Sequence, residues 1–218
     1  MSLTADKVAK LAELSVNAMK QTLSDWDEMT GFGAELKGLK ARLIKDPAGL
    51  KVQDGSVTVE TQVETSTGSG PMRFILPCEY AAEAVGLMLM LPPDTIKEKA
   101  ATGLEEGDLL AVQELANLMC GSSNRAYQRL DRDLRVSQAV DHLRVIVNQG
   151  DNPCGLEPEA HVVLDMTIEV GGTSHQIQQI SSAILSGSLR RVAISWLIRA
   201  SSFRWCMTIG PRVVIISR

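Results

Sequence analysis

The apolar residues of the chain follow two periods, and the switches between them mark out its elements. Over residues 4–29, Val8, Leu11, Leu14, Ser15, Ala18, Met19, Leu23 and Trp26 recur at helical spacing, which predicts a long amphipathic first helix. Over residues 57–64 the pattern changes to strict alternation. Val57, Val59, Thr61 and Val63 fall on one side, and Thr58, Glu60, Gln62 and Glu64 on the other, as in a half-buried antiparallel strand. A turn over 66–71 leads to a partner strand over 72–77, and a further strand within 36–44 completes a meander. An apolar helix follows over 81–90, stopped by Pro92 and Pro93, then short helical turns over 94–101 and a long helix over 108–130. Strands return at 144–147 and 161–170, with Val162, Leu164, Met166, Ile168 and Val170 on one face and Val163, Asp165, Thr167 and Glu169 on the other. Gly171 and Gly172 form a two-residue turn into a last strand over 173–180, a hairpin signal of the type that needs φ > 0 at both positions. Helix, strands, helices, strands is the order of an α+β fold, a mainly antiparallel sheet with helices packed on one face.

The helix over 108–130 differs from the others on its polar side. Leu109, Val112, Leu115, Ala116, Met119, Cys120, Ala126, Tyr127 and Leu130 gather on one face, while Glu114, Asn117, Gly121, Asn124 and Gln128 share the other. A solvated helix face ordinarily carries long charged pairs at four-residue spacing. Here a single carboxylate and a single carboxamide stand one turn apart, followed by a glycine one turn later. Glycine in a helix interior costs about 1 kcal/mol relative to alanine, which points to a close approach to the backbone. Glu13 and Asn17 of the first helix resemble this pair but are four apart rather than three.

Composition narrows the function classes. With 218 residues, 44% of them hydrophobic, the chain can bury a sizeable core. A net charge of -4 leaves no basic footprint for nucleic acid. Cys78, Cys120, Cys154 and Cys206 lack C-x-x-C spacing, and no signal-peptide pattern precedes the first helix, so a reduced, cytoplasmic protein without structural zinc or disulfides is expected. No run of apolar residues is long enough to span a membrane. The chain has no P-loop, no G-x-G-x-x-G after a strand, no G-x-S-x-G and no H-E-x-x-H. His142, His161 and His175 lie on or beside strands with no second histidine at ligand spacing, so no metal site is expected. Glu105, Glu106 and Asp108 stand where a helix N-terminus favours negative charge.

The composition shifts after residue 180. Residues 181–218 contain no Asp, Glu or Lys but carry Arg190, Arg191, Arg199, Arg204, Arg212 and Arg218. This suggests a domain over 1–185 followed by an arginine-rich segment over 186–218. That segment reads as a last helix and a terminal strand over 212–217 completing the fold, as a basic amphipathic stretch, or as a tail foreign to the domain; a membrane partner is not expected.

Glu114-Leu115-Ala116-Asn117-Leu118-Met119-Cys120-Gly121 resembles the signature helix of the chemotaxis phosphatase family of CheC, CheX and FliY, an E-x-x-N pair with glycine four residues after the asparagine. The resemblance extends over about residues 11–180 and, with one such helix, is nearest to CheX. Where the family carries Ser or Asp four residues before the glutamate this chain has Leu110, with Asp108 two residues earlier, and where the family has a later proline it has Val140. The resemblance implies a phosphatase that hydrolyses the aspartyl phosphate of a CheY-like response regulator. Asn117 would orient the attacking water, Glu114 would pair with the regulator's lysine, and Leu110, Gly121 and Asn124 would line the docking face. It implies no cofactor of the chain's own, the Mg²⁺ being held in the regulator's site, and it makes a homodimer an expected assembly. The rival expectation is a non-catalytic module that binds a response regulator or serves a flagellar motor switch.

Overall fold

A computed structural model describes residues 5–45, 47, 50, 52–65, 68–130, 135–137, 144–147, 156–157, 159–182, 205–209 and 212–216. Among the described residues four helices, α1 (Ala5–Thr30), α2 (Cys78–Met88), α3 (Pro93–Thr102) and α4 (Glu106–Leu130), accompany nine strands. The strands are β1 (Ala34–Ile44), β2 (Val57–Thr65), β3 (Gly68–Leu76), β4 (Arg135–Ser137), β5 (Arg144–Val147), β6 (His161–Val170), β7 (Thr173–Ser182), β8 (Trp205–Ile209) and β9 (Arg212–Ile216). They form one sheet in the order β4-β2-β3-β7-β6-β1-β8-β9, with β5 also paired to β2. Among the described residues every pairing is antiparallel except that of β1 with β8. The α+β architecture expected from the hydrophobic pattern is the one observed.

The main core lies between the helices and one face of the sheet. Leu14, Met19, Leu23 and Trp26 of α1, Ala81 and Val85 of α2, and Val112, Leu115, Ala116 and Met119 of α4 pack with Val57, Val59, Phe74, Leu164, Met166 and Ile168 of the strands. In β1 the inward residues are Leu36, Leu39 and Ala41, opposite Ile168, Met166 and Leu164. Leu36 and Leu39 could not share a face in a regular strand, where side chains alternate. A bulge between Leu36 and Gly38 absorbs one residue and restores the inward phase.

The opposite face is not simply polar. Val163, assigned by alternation to the outer side of β6, is fully buried, and with Leu50, Ile75, Leu156 and Ile180 it forms a second, smaller core. Alternation reports which residues share a face and not what covers that face. Here Leu50 and Leu156, which belong to no helix or strand, cover it. Arg42, also on this side, pairs with Asp165 at 2.8 Å, and Gln178 donates to the same carboxylate at 2.7 Å.

Element ends shift by a few residues. α2 begins at Cys78, directly after Pro77, and ends at Met88 rather than at residue 90, because Met90 takes up a left-handed conformation at φ 53°. Gly171 and Gly172 have φ of 56° and 86°, as the two-residue turn between β6 and β7 requires. The short strand β4 had no signal in the alternation. The end of the arginine-rich segment takes part in the sheet: β8 lies parallel to β1, and β9 pairs with β8. The helix considered for the first part of that segment, the tip of the β2–β3 turn, and Val140, His142 and Cys154 lie outside the described residues. Cys78 and Cys120 are buried, and no helix among the described residues is long and apolar enough to cross a membrane.

Candidate functional site

The start of α4 is built by a capping arrangement. The Asp108 carboxylate accepts the backbone N–H of Glu105 at 2.8 Å, the reciprocal half of a capping box, and also accepts Lys99 Nζ of α3 at 2.8 Å. Asp108 is buried. Its role is to close the helix end and tie α3 to α4, which removes it from the polar face that follows. Glu105 lies 3.6 Å from Lys99, so the acidic run before α4 is a structural terminus. Among the described residues no group of His, Cys, Asp or Glu could hold a metal ion.

Beyond this cap, α4 presents one exposed stripe. Leu110, Glu114 and Asn117 are exposed and Gly121 half-buried; successive steps of four, three and four residues keep them on one line along the helix. Asn117 Nδ2 donates to Glu114 Oε2 at 3.4 Å. The bond orients the amide so that its carbonyl oxygen is directed away from the carboxylate. The buried side of the same helix carries Val112, Leu115, Ala116, Met119 and Cys120, so the pair is fixed by a helix whose other face is locked into the core. Leu110 is 67% exposed, an apolar residue placed at the end of a polar stripe. Leu109, expected on the apolar face, is only half-buried.

One group of residues on this surface had no signal in the one-dimensional pattern. Asp25 of α1 reaches across the α1–α4 seam, accepts the Ser122 hydroxyl and pairs with Arg125 Nη2, and it also accepts Gln21 Nε2 at 3.0 Å. Arg125 Nη2 lies 3.3 Å from Ser122 Oγ as well. The four residues are 97 to 104 positions apart across the two helices, a distance that no local rule spans; a buried serine flanked by an arginine three residues later is the one local hint. Burial tends to raise the Asp25 carboxyl, but hydrogen bonds from Ser122, Gln21 and Arg125 outweigh it and hold the group below its ordinary 3.8. A carboxyl depressed on folding contributes stability above its unfolded pKa, and that contribution is lost as pH falls through the folded value. Asp25→Asn is therefore expected to be less stable than the wild type at neutral pH, with the difference closing as pH falls below 3.8; denaturant titrations over that range measure it.

Gly121 is not required by packing within the chain. A β-carbon there would meet only Arg125 Nη1, at 3.7 Å, which is ordinary contact. Gly121→Ala should raise the urea midpoint, by an amount corresponding to about 0.5–1 kcal/mol of helix propensity.

No protein-family model matches the sequence, and no curated protein matches it either. Solved structures do. FliY from Thermotoga maritima superposes with a TM-score of 0.66 at 20% identity, over 86% of this chain and 95% of that one. The chemotaxis protein CheX from Vibrio vulnificus superposes with a TM-score of 0.53 at 16% identity, over 78% and 99%. The FliM middle domain from H. pylori superposes with a TM-score of 0.58 at 7% identity, over 84% and 95%. The chain has the CheC/CheX/FliY fold.

Within that fold, the likeness spans almost the full length of each of these solved chains and more than three quarters of this one, so it is not confined to one motif. CheX is no nearer than FliY. In this chain Glu114 and Asn117 stand together on the exposed face of α4, in line with Leu110 and Gly121. Asn124, three residues beyond Gly121, is half-buried and has an interaction partner of its own. Glu13 and Asn17, at the wrong spacing, are half-buried on α1.

Proposed function

We propose that the protein accelerates hydrolysis of the aspartyl phosphate of a CheY-like response regulator. The observation that carries this reading is the Glu114–Asn117 pair, exposed on a rigid helix in a fold shared with CheX. Phosphoryl transfer to water asks little covalent chemistry of a protein: the attacking water must be held in line and the charge neutralised. The regulator supplies the metal ion and a lysine, so the incoming protein need add only a group that orients water. The Asn117 amide has both a donor and an acceptor for this. Glu114 accepts a bond from Asn117 and presents its second oxygen to the regulator's lysine, as a charge-assisted contact that sets the depth of docking. Gly121 leaves the backbone bare beyond the amide, so that the regulator's surface can approach. The direct test is the decay of a phosphorylated regulator from the same cell with and without this protein: faster decay is expected, and decay at the regulator's own rate would refute the reading.

Leu110 favours one rival. An exposed leucine at the position where the resemblance calls for Ser or Asp suits a surface that binds a regulator or a motor component by apolar contact without hydrolysing phosphate. Binding without faster decay would select it.

A further inference from the structure

Arg125 lies outside the E-x-x-N motif, yet it is an exposed cation on α4, one turn beyond Gly121. Its guanidinium is clamped: Nη2 pairs with Asp25 and lies 3.3 Å from Ser122 Oγ, while Asp25 is itself held by Gln21. Long helical side chains lean back toward the N-terminus of their helix, and this one does so, bringing Nη1 to 3.7 Å from the point where a Gly121 side chain would begin. The charge therefore sits level with Gly121, one turn from Asn117, and the side chain remains 52% exposed. A flexible surface arginine would lose side-chain entropy on engaging a partner; one already fixed by a carboxylate and a hydroxyl loses less.

The face then has a polarity: the Glu114 carboxylate, the Asn117 amide, bare backbone at Gly121, and the Arg125 guanidinium. We infer that Arg125 is a positioning residue that sets the direction in which the regulator docks, by engaging the carboxylates that rim a phosphorylated, metal-binding site. This inference rests on the reading of Glu114 and Asn117 as facing a regulator's phosphorylation site. Such a site joins a lysine to a group of metal-binding carboxylates. Docked one way, Glu114 meets the lysine and Arg125 the carboxylates. Docked in reverse, Glu114 meets carboxylates and Arg125 the lysine, so that both ends repel.

The experiment measures both binding and turnover with a purified CheY-like regulator. Affinity is read by calorimetry with the regulator held by beryllium fluoride, a phosphoryl mimic, and kcat and KM are read from phosphoregulator decay, for wild type, Arg125→Gln and Arg125→Lys. Circular dichroism establishes that each variant is folded. Arg125→Gln is expected to weaken binding and raise KM about tenfold while kcat stays within about twofold, and to flatten the dependence of affinity on salt. Arg125→Lys, which keeps charge but loses the clamped fork, should recover part of the affinity. Unchanged affinity in Arg125→Gln, or a loss of kcat with KM unchanged, overturns the inference. Should the wild type bind without speeding decay, the phosphatase reading fails and a weaker-binding Arg125→Gln still upholds the role of Arg125. A wild type that neither binds nor speeds decay overturns both.

Discussion

Asn117→Ala should abolish the acceleration of phosphoregulator decay while leaving the fold and the docking affinity in place. Removing one preorganised group that acts on the transition state costs on the order of 100-fold or more in rate, and here no other amide on this face of α4 stands beside Glu114: Asn124 and Gln128 lie about two and three turns farther along the helix, Gly121 has no side chain, and Leu110 is apolar. Stability should not fall. The side chain is exposed, its one bond to Glu114 is 3.4 Å long, and alanine is the better helix former by several tenths of a kcal/mol. The contrast with Glu114→Ala is diagnostic. Loss of the carboxylate removes a docking contact and also the partner that orients the amide, so KM should rise and kcat should fall by less than in Asn117→Ala. Single-turnover decay measured at several concentrations of the variant separates the two. If Asn117→Ala keeps full activity, the amide does not orient water.

Trp26→Ala should be the most destabilising single change near the site. Trp26 is 2% exposed, packs in the main core at the α1 end of the α1–α4 seam, and is among the largest fully buried side chains. Truncation of a buried tryptophan costs about 3–5 kcal/mol through lost transfer energy and the cavity left behind, which for a domain of this size lowers Tm by roughly 10 °C. Trp26→Phe should cost much less than its lost volume suggests. Among the described residues the buried indole Nε1–H has no hydrogen-bond partner, and an unmet buried donor costs about 1–3 kcal/mol, so phenylalanine removes an unfavourable group together with favourable contacts. Thermal melts of the two variants measure the difference, and a Trp26→Phe variant as unstable as Trp26→Ala would show that volume alone decides. Asp25 is the residue immediately before Trp26, so Trp26→Ala should also loosen the clamp on Arg125 and reduce activity beyond what the population of folded protein accounts for.

The local pattern of side chains carried most of the fold and the centre of the site. Periodicity of 3.6 marked α1 and α4 because each must bury one stripe against the sheet, and alternation marked β2 and β6 because each has one face on the main core. The hairpin from β6 to β7 was legible in Gly171-Gly172, since a two-residue turn with two positive φ angles has few other spellings. Glu114 and Asn117 stood out because their helix face lacked the charges a solvated face carries, and their exposure in a shared line with Leu110 follows directly from helical geometry. What stayed illegible was whatever depends on residues far apart in the chain. Val163 reads as an outward residue until Leu50 and Leu156 are seen to cover it. The inward phase of both Leu36 and Leu39 needs a bulge whose place is set by pairing with β6. Asp108 was legible as an acid at a helix N-terminus, but its burial against Lys99 needs α3 to lie beside the start of α4. The clamp of Gln21 and Asp25 on Ser122 and Arg125 needs α1 and α4 to lie side by side, an arrangement fixed by the shared core. A sequence by itself determines which positions share a face, because that depends only on the rise and turn of the backbone; which faces meet, and hence which charges are held and which are left for a partner, is decided by tertiary packing, because that depends on the shape and area each face can bury.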